Sequence, residues 1–153
     1  MDAMERVRAM RIGRGERAPR KPLLLLFALG RFQRDGGAPI PFATAEDPVD
    51  ALLHRFASAQ RYGGAHHPFH HLANDDRLWT VETPQGPGSP GPSARTLRSS
   101  RATGRLHPEL LRELAADPGL PARLVRFLLA EHFPAQQHAD ICREVGLDPA
   151  QAA

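Results

Sequence analysis

The chain reads as a mainly α-helical, compact domain with one small antiparallel β hairpin, and three observations predict it. Apolar residues recur at three- and four-residue spacing through most of the sequence, as on helices that bury one face. Arg77-Leu78-Trp79-Thr80-Val81 is the stretch that alternates polar and apolar, the mark of a half-buried strand. Proline and glycine pairs separate these segments. The 153 residues, 41% hydrophobic and 24% charged, suit one domain with its own core, so 1–153 is read as a single unit.

In chain order, residues 1–10 form a short amphipathic helix with Met4, Val7 and Met10 on one side, and a basic loop follows to Pro19. Pro22 suits the first turn of a second helix, where its missing N–H costs little. That helix runs through Leu23-Leu24-Leu25-Leu26-Phe27-Ala28-Leu29 to about Phe32, is apolar nearly all round and is therefore buried. Gly36-Gly37 ends it, and Pro39-Ile40-Pro41-Phe42 is extended. Thr44 is a candidate N-cap for a helix over 46–58, with Val49, Leu52, Leu53 and Phe56 inward. The stretch from Tyr62 through Gly63, Gly64 and four histidines to Asn74-Asp75-Asp76 reads as a loop that enters the hairpin. Residues 83–101 hold four prolines and three glycines and read as a flexible, Pro/Gly-rich and basic loop. Helices return after Gly104: one from Pro108, one over Leu120 to Glu131, and one from His138 to Val145 capped by Gly146.

Composition excludes several functions. Cys142 is the single cysteine, which rules out an internal disulfide and any cysteine-built zinc site and suits a reducing cytoplasm. The apolar run at 23–29 is far short of the roughly 20 residues of a membrane span. There is no nucleophile elbow and no phosphate-cradling glycine loop, so no catalytic residue is assigned. His66, His67, His70 and His71 invite a metal-dependent nuclease reading, but Pro68 interrupts them and no carboxylate or cysteine sits at ligand spacing except in Asn74-Asp75-Asp76; neither metal nor cofactor is expected.

What remains is charge and the histidine stretch. Nineteen of the twenty cations are arginine, which grips phosphate with a planar fork. They crowd the first 35 residues and recur at Arg95, Arg98, Arg101 and Arg105, with no acid near the second cluster in sequence. This clustering points to a polyanion partner. Arg20-Lys21 immediately before a buried helix makes an anion site.

Three blocks of sequence then resemble a known family. Residues 17–31, Arg-Ala-Pro-Arg-Lys-Pro followed by the leucine run and Gly30-Arg31, look like the opening signature of the DNA sulfur-binding domain. That domain belongs to phosphorothioate-dependent, McrA-like type IV restriction endonucleases. His67-Pro68-Phe69 with Leu72, Asn74-Asp75 and Leu78-Trp79 is similar to its central loop. His132-Phe133-Pro134, His138, Asp140-Ile141 and Val145-Gly146-Leu147 resemble its closing signature.

The resemblance implies binding of double-stranded DNA in which sulfur replaces a non-bridging phosphate oxygen, with no membrane involved. It implies a sulfur pocket at His67, Pro68, Phe69 and His71, and phosphate or base contacts from Arg20, Lys21, His66, Arg95, Thr96 and Arg98. His67 stands where the family has Tyr, and His71 where it has a small residue, so the resemblance also implies an altered pocket. The family's full-length enzymes carry an HNH nuclease, and the chain stops at Ala153 without one; cleavage is not expected from it alone. The alternative is a general DNA-binding or recruiting subunit for a separately encoded nuclease.

Overall fold

The computed structural model describes residues 1–12, 19–57 and 64–152. Arg14, Arg17 and Ala18 of the basic loop and opening signature, and Tyr62 and Gly63 of the histidine stretch, lie outside the described residues.

Among the described residues, eight helices surround a small sheet: α1 (Ala3–Arg8), α2 (Arg20–Asp35), α3 (Phe42–Leu52), α4 (His66–His71), α5 (Ala94–Ser99), α6 (Pro108–Ala116), α7 (Leu120–His132) and α8 (His138–Val145). The axis of the molecule is α2, which buries every residue from Pro22 to Gly30 against α3, α4, α7 and α8. The leucine run is therefore the core itself, as its all-round apolar character predicts. Gly30 permits the closest approach: a Cβ there would stand 1.9 Å from the Val145 carbonyl oxygen of α8. At the other edge, Arg6 of α1 is buried and donates to Glu113 of α6 at 2.6 Å, tying the first helix down.

The expected hairpin is present and belongs to a larger sheet. Four antiparallel strands run in the order β1 (Ile40–Pro41), β4 (Thr103–Leu106), β2 (Trp79–Thr83), β3 (Gly86–Pro87). The β2–β3 hairpin turns at Pro84 and Gln85, while Trp79 faces Leu106 and Val81 faces Gly104 across the longer β2–β4 ladder.

Three expectations change. Thr44 is not the N-cap of α3, because the helix begins at Phe42, whose N–H is already satisfied by the Ala102 carbonyl at 2.8 Å. The helix carries Pro48, which removes an internal hydrogen bond, and then loosens into a π-type turn over Leu53–Ala57. The 83–101 segment, read as loop throughout, contains β3 and α5. Ser93 starts α5 by accepting the Thr96 N–H at 3.0 Å.

Candidate nucleic-acid interface

The histidine stretch forms a helix, where the sequence suggested a loop. Pro68 does not interrupt α4, because it is the third residue and no partner exists for an N–H that early. The helix is fixed at its start, where the Ala65 N–H donates to Asp50 Oδ1 at 2.6 Å. It is fixed from below by Phe69, whose ring packs edge-on against Phe42 and Trp79 with centroids 5.0 and 5.4 Å away. The Trp79 indole N–H donates to the Phe69 carbonyl at 2.9 Å. Room for that indole comes from Gly104 on β4, where a Cβ would lie 2.2 Å from the Trp79 ring.

This arrangement corrects the role expected of Phe69. Its side chain is fully buried, so the ring supports the surface from beneath and does not line it. The outer surface of α4 is built from His66, His67, His70 and His71, all half-buried, with Pro68 buried among them. His67 and His71, one turn apart, bring their ring centroids to 4.5 Å, and His70 lies edge-on to His71 at 4.8 Å.

Two cations stand beside these rings in the first turn of α2. Arg20 is buried at 5% exposure, and Lys21 is half-buried. Lys21 donates to Asp75 Oδ2 at 2.6 Å and to the Arg11 carbonyl at 2.8 Å. Asp75 is itself buried, and its other oxygen accepts the Arg11 N–H at 2.9 Å. Lys21, expected as a phosphate clamp, is thus already held by Asp75, a carboxylate whose place in Asn74-Asp75-Asp76 signals only a turn.

The His67, His70 and His71 imidazoles are held in the neutral form at neutral pH. Desolvation, and then the neighbouring Arg20, push the His67 pKa down to about 4. His71 is lowered by desolvation and Lys21, and His70 by desolvation and His71. Arg20 and Lys21 therefore stand as fixed cations next to the flat, neutral rings of His67, His70 and His71. Among the described residues no group of three or more ligating side chains could hold a metal ion.

The remaining predicted residues sit on α5. Arg95 is exposed and has no ion-pair partner among the described residues. Arg98 lies 3.6 Å from Glu46 of α3, so the fold supplies the acid that the local sequence lacks. Thr96 shares its backbone N–H and hydroxyl with Ser93. A serine the sequence did not single out connects this helix to α4. Ser89 Oγ is 2.6 Å from His70 Nδ1 and is hydrogen-bonded to Gly91, where an added Cβ would stand 3.9 Å from the Thr96 methyl of α5.

Fixed cations beside a neutral, weakly hydrated surface, with further arginines displayed on a neighbouring helix, define a polyanion-binding domain. The profile of the ScoMcrA-like DNA sulfur-binding domain family matches residues 1–150, and the chain belongs to that family. It is similar over its whole length to the sulfur-binding domain of ScoMcrA complexed with phosphorothioated DNA, at 25% identity and a TM-score of 0.80, covering 99% of that chain. It is also similar to a ScoMcrA fragment holding the sulfur-binding and SRA domains, at 25% identity and a TM-score of 0.77. There 96% of this chain covers 47% of the other. The fold recurs in the phosphorothioation-dependent restriction endonuclease ScoMcrA, of which the chain spans 31%, at 23% identity and a TM-score of 0.76. Comparison with curated protein sequences finds no match. No helix among the described residues is long and apolar enough to cross a membrane.

Proposed function

We propose that this domain binds duplex DNA carrying a phosphorothioate and distinguishes sulfur from oxygen at the α4 surface. The observation that carries the reading is the neutral imidazole and proline face set against Arg20 and Lys21. Sulfur is larger, more polarisable and less strongly hydrated than a phosphate oxygen. A partly dry face accepts it cheaply, whereas an oxygen loses water there without a replacement hydrogen bond. Pro68, His67 and His71 surround the sulfur, with Phe69 as the floor beneath them. Arg20 and Lys21 balance the charge of the modified phosphate, and His66 stands at the margin. Arg95, Thr96 and Arg98 approach the neighbouring bases or phosphates, which position the domain and read its flanks. Membership of the sulfur-binding family, and the phosphorothioated DNA bound by the ScoMcrA domain, support this assignment.

A paired titration tests it. One short duplex carries a single Rp phosphorothioate, its twin carries none, and both are measured at two salt concentrations. A preference of about tenfold or more for the sulfur duplex at both salts, about 1.4 kcal/mol, is expected. Equal affinity with a steep salt dependence would mean that the arginines alone hold DNA, and it would end the sulfur reading.

A further inference from the structure

Beside the α4 surface lies a cleft of about 510 Å³ between the β2–β3 turn and the C-terminal end of α5. Its lining includes Gln85, Ser89, Ser99, Ser100 and Arg101, together with prolines and glycines, and contains no acidic residue. Ser89 belongs to this lining and also to the His70 hydrogen bond, so the cleft and the histidine face are continuous.

Arg101 is unusual in its backbone. It occupies the left-handed region at φ 54° as the residue that ends α5. The Ala102 N–H donates to the Leu97 carbonyl at 3.0 Å and the Arg101 N–H to the Arg98 carbonyl at 3.1 Å, the pair of bonds that closes a helix through a left-handed residue. Glycine adopts that conformation without strain, and a β-carbon makes it costly. The chain nevertheless places there an exposed guanidinium that has no ion-pair partner among the described residues. Strain retained at the edge of an acid-free cleft indicates that the side chain is wanted there.

We infer that this cleft receives a backbone phosphate of the same duplex, flanking the modified one, with Arg101 as its cation and the Gln85 and Ser100 side chains as neutral donors. The inference rests on the reading of the α4 surface as the DNA-binding face. It adds a contact that carries affinity without sulfur preference, because a fork on an ordinary phosphate is blind to a sulfur elsewhere.

The test pairs protein and DNA changes. Duplexes with and without the central phosphorothioate carry a neutral methylphosphonate at each flanking position in turn. They are titrated with the wild-type domain, Arg101→Gln and Arg101→Gly, the last matching the backbone conformation so that folding is not at risk. Both variants are expected to bind three- to tenfold more weakly (about a factor of ten per 1.4 kcal/mol) on either duplex. Their salt slope falls by about 0.9, the share of one phosphate contact. At one flanking position the methylphosphonate weakens wild type and leaves both variants no weaker than before. Unchanged affinity and slope overturn the inference, and so does a loss without any position at which the two changes cease to add. A loss in one variant but not the other also overturns it, since it would report the backbone. A wild-type domain indifferent to sulfur would sink the sulfur reading alone, because the position-specific coupling is scored on the unmodified duplex as well.

Discussion

The molecule presents cations in two different ways. Arg20 and Lys21 are packed into the first turn of a core helix, and Lys21 is held by a buried carboxylate. Arg95 and Arg98 stand on the surface of a six-residue helix, and Arg98 has only a loose partner in Glu46. A pre-set charge beside a shaped, dry surface costs little reorganisation on binding and can discriminate between ligands that differ by one atom. A mobile surface arginine gives attraction that salt screens, whatever the sequence or chemistry of the phosphate. The difference separates selectivity, expected of the α2–α4 region, from bulk affinity, expected of α5.

The strongest way to break the comparison is to remove the floor under the first region. Phe69→Ala leaves a cavity between Phe42 and Trp79 and removes the packing that fixes α4. It is expected to cost about 3–5 kcal/mol of stability, measured by chemical denaturation. A loss below about 1 kcal/mol would show that α4 is not anchored through this ring.

A subtler change converts the first region into something like the second. Asp75→Asn keeps the shape of the side chain but removes the charge that holds Lys21 and the Arg11 backbone. Stability should fall by about 2 kcal/mol, less than for a fully buried pair because Lys21 retains some contact with water. Affinity for unmodified duplex should hold or rise as the lysine is freed, and the ratio of modified to unmodified binding should drop. An unchanged ratio would mean that the position of Lys21 does not matter to selectivity.

These residues also show how far the sequence could be read. The leucine run, α8 with Gly146 and the β2 strand were legible because period and punctuation are local properties. Asp75 was visible only as a turn residue, since its value lies in Lys21, 54 positions away, and in the Arg11 backbone. The helix at His66–His71 is hidden in the sequence because proline usually breaks a helix, whereas Pro68 falls in the one turn that tolerates it. The β2–β4 pairing was hidden for a related reason: Thr-Gly-Arg-Leu is too short to declare itself, and Gly104 is there to admit Trp79. The resemblance in three ordered blocks recovered the family, yet it placed Phe69 at a surface where the packing does not put it.

The smallest expected effect concerns protons. Folding lowers the His67 pKa from 6.5 to about 4, first by desolvation and then through Arg20. Between those values the unfolded chain binds a proton that the folded chain refuses, so stability rises with pH across this window. It is fully present above about pH 6.5 and is lost as the pH falls towards 4. His70 and His71 are shifted in the same direction and add to the slope. Because the His67 ring is only half-buried, solvent screening keeps its share to about 1 kcal/mol, or a few degrees in Tm. Thermal denaturation at pH 7.5, 6 and 5 should show the fall, and His67→Gln should flatten it without changing the neutral-pH value by much. A wild-type Tm that stays level or rises on acidification would show that the imidazoles are hydrated and charged. The dry half of the comparison would then lose its basis, and the two cationic regions would differ only in where they sit.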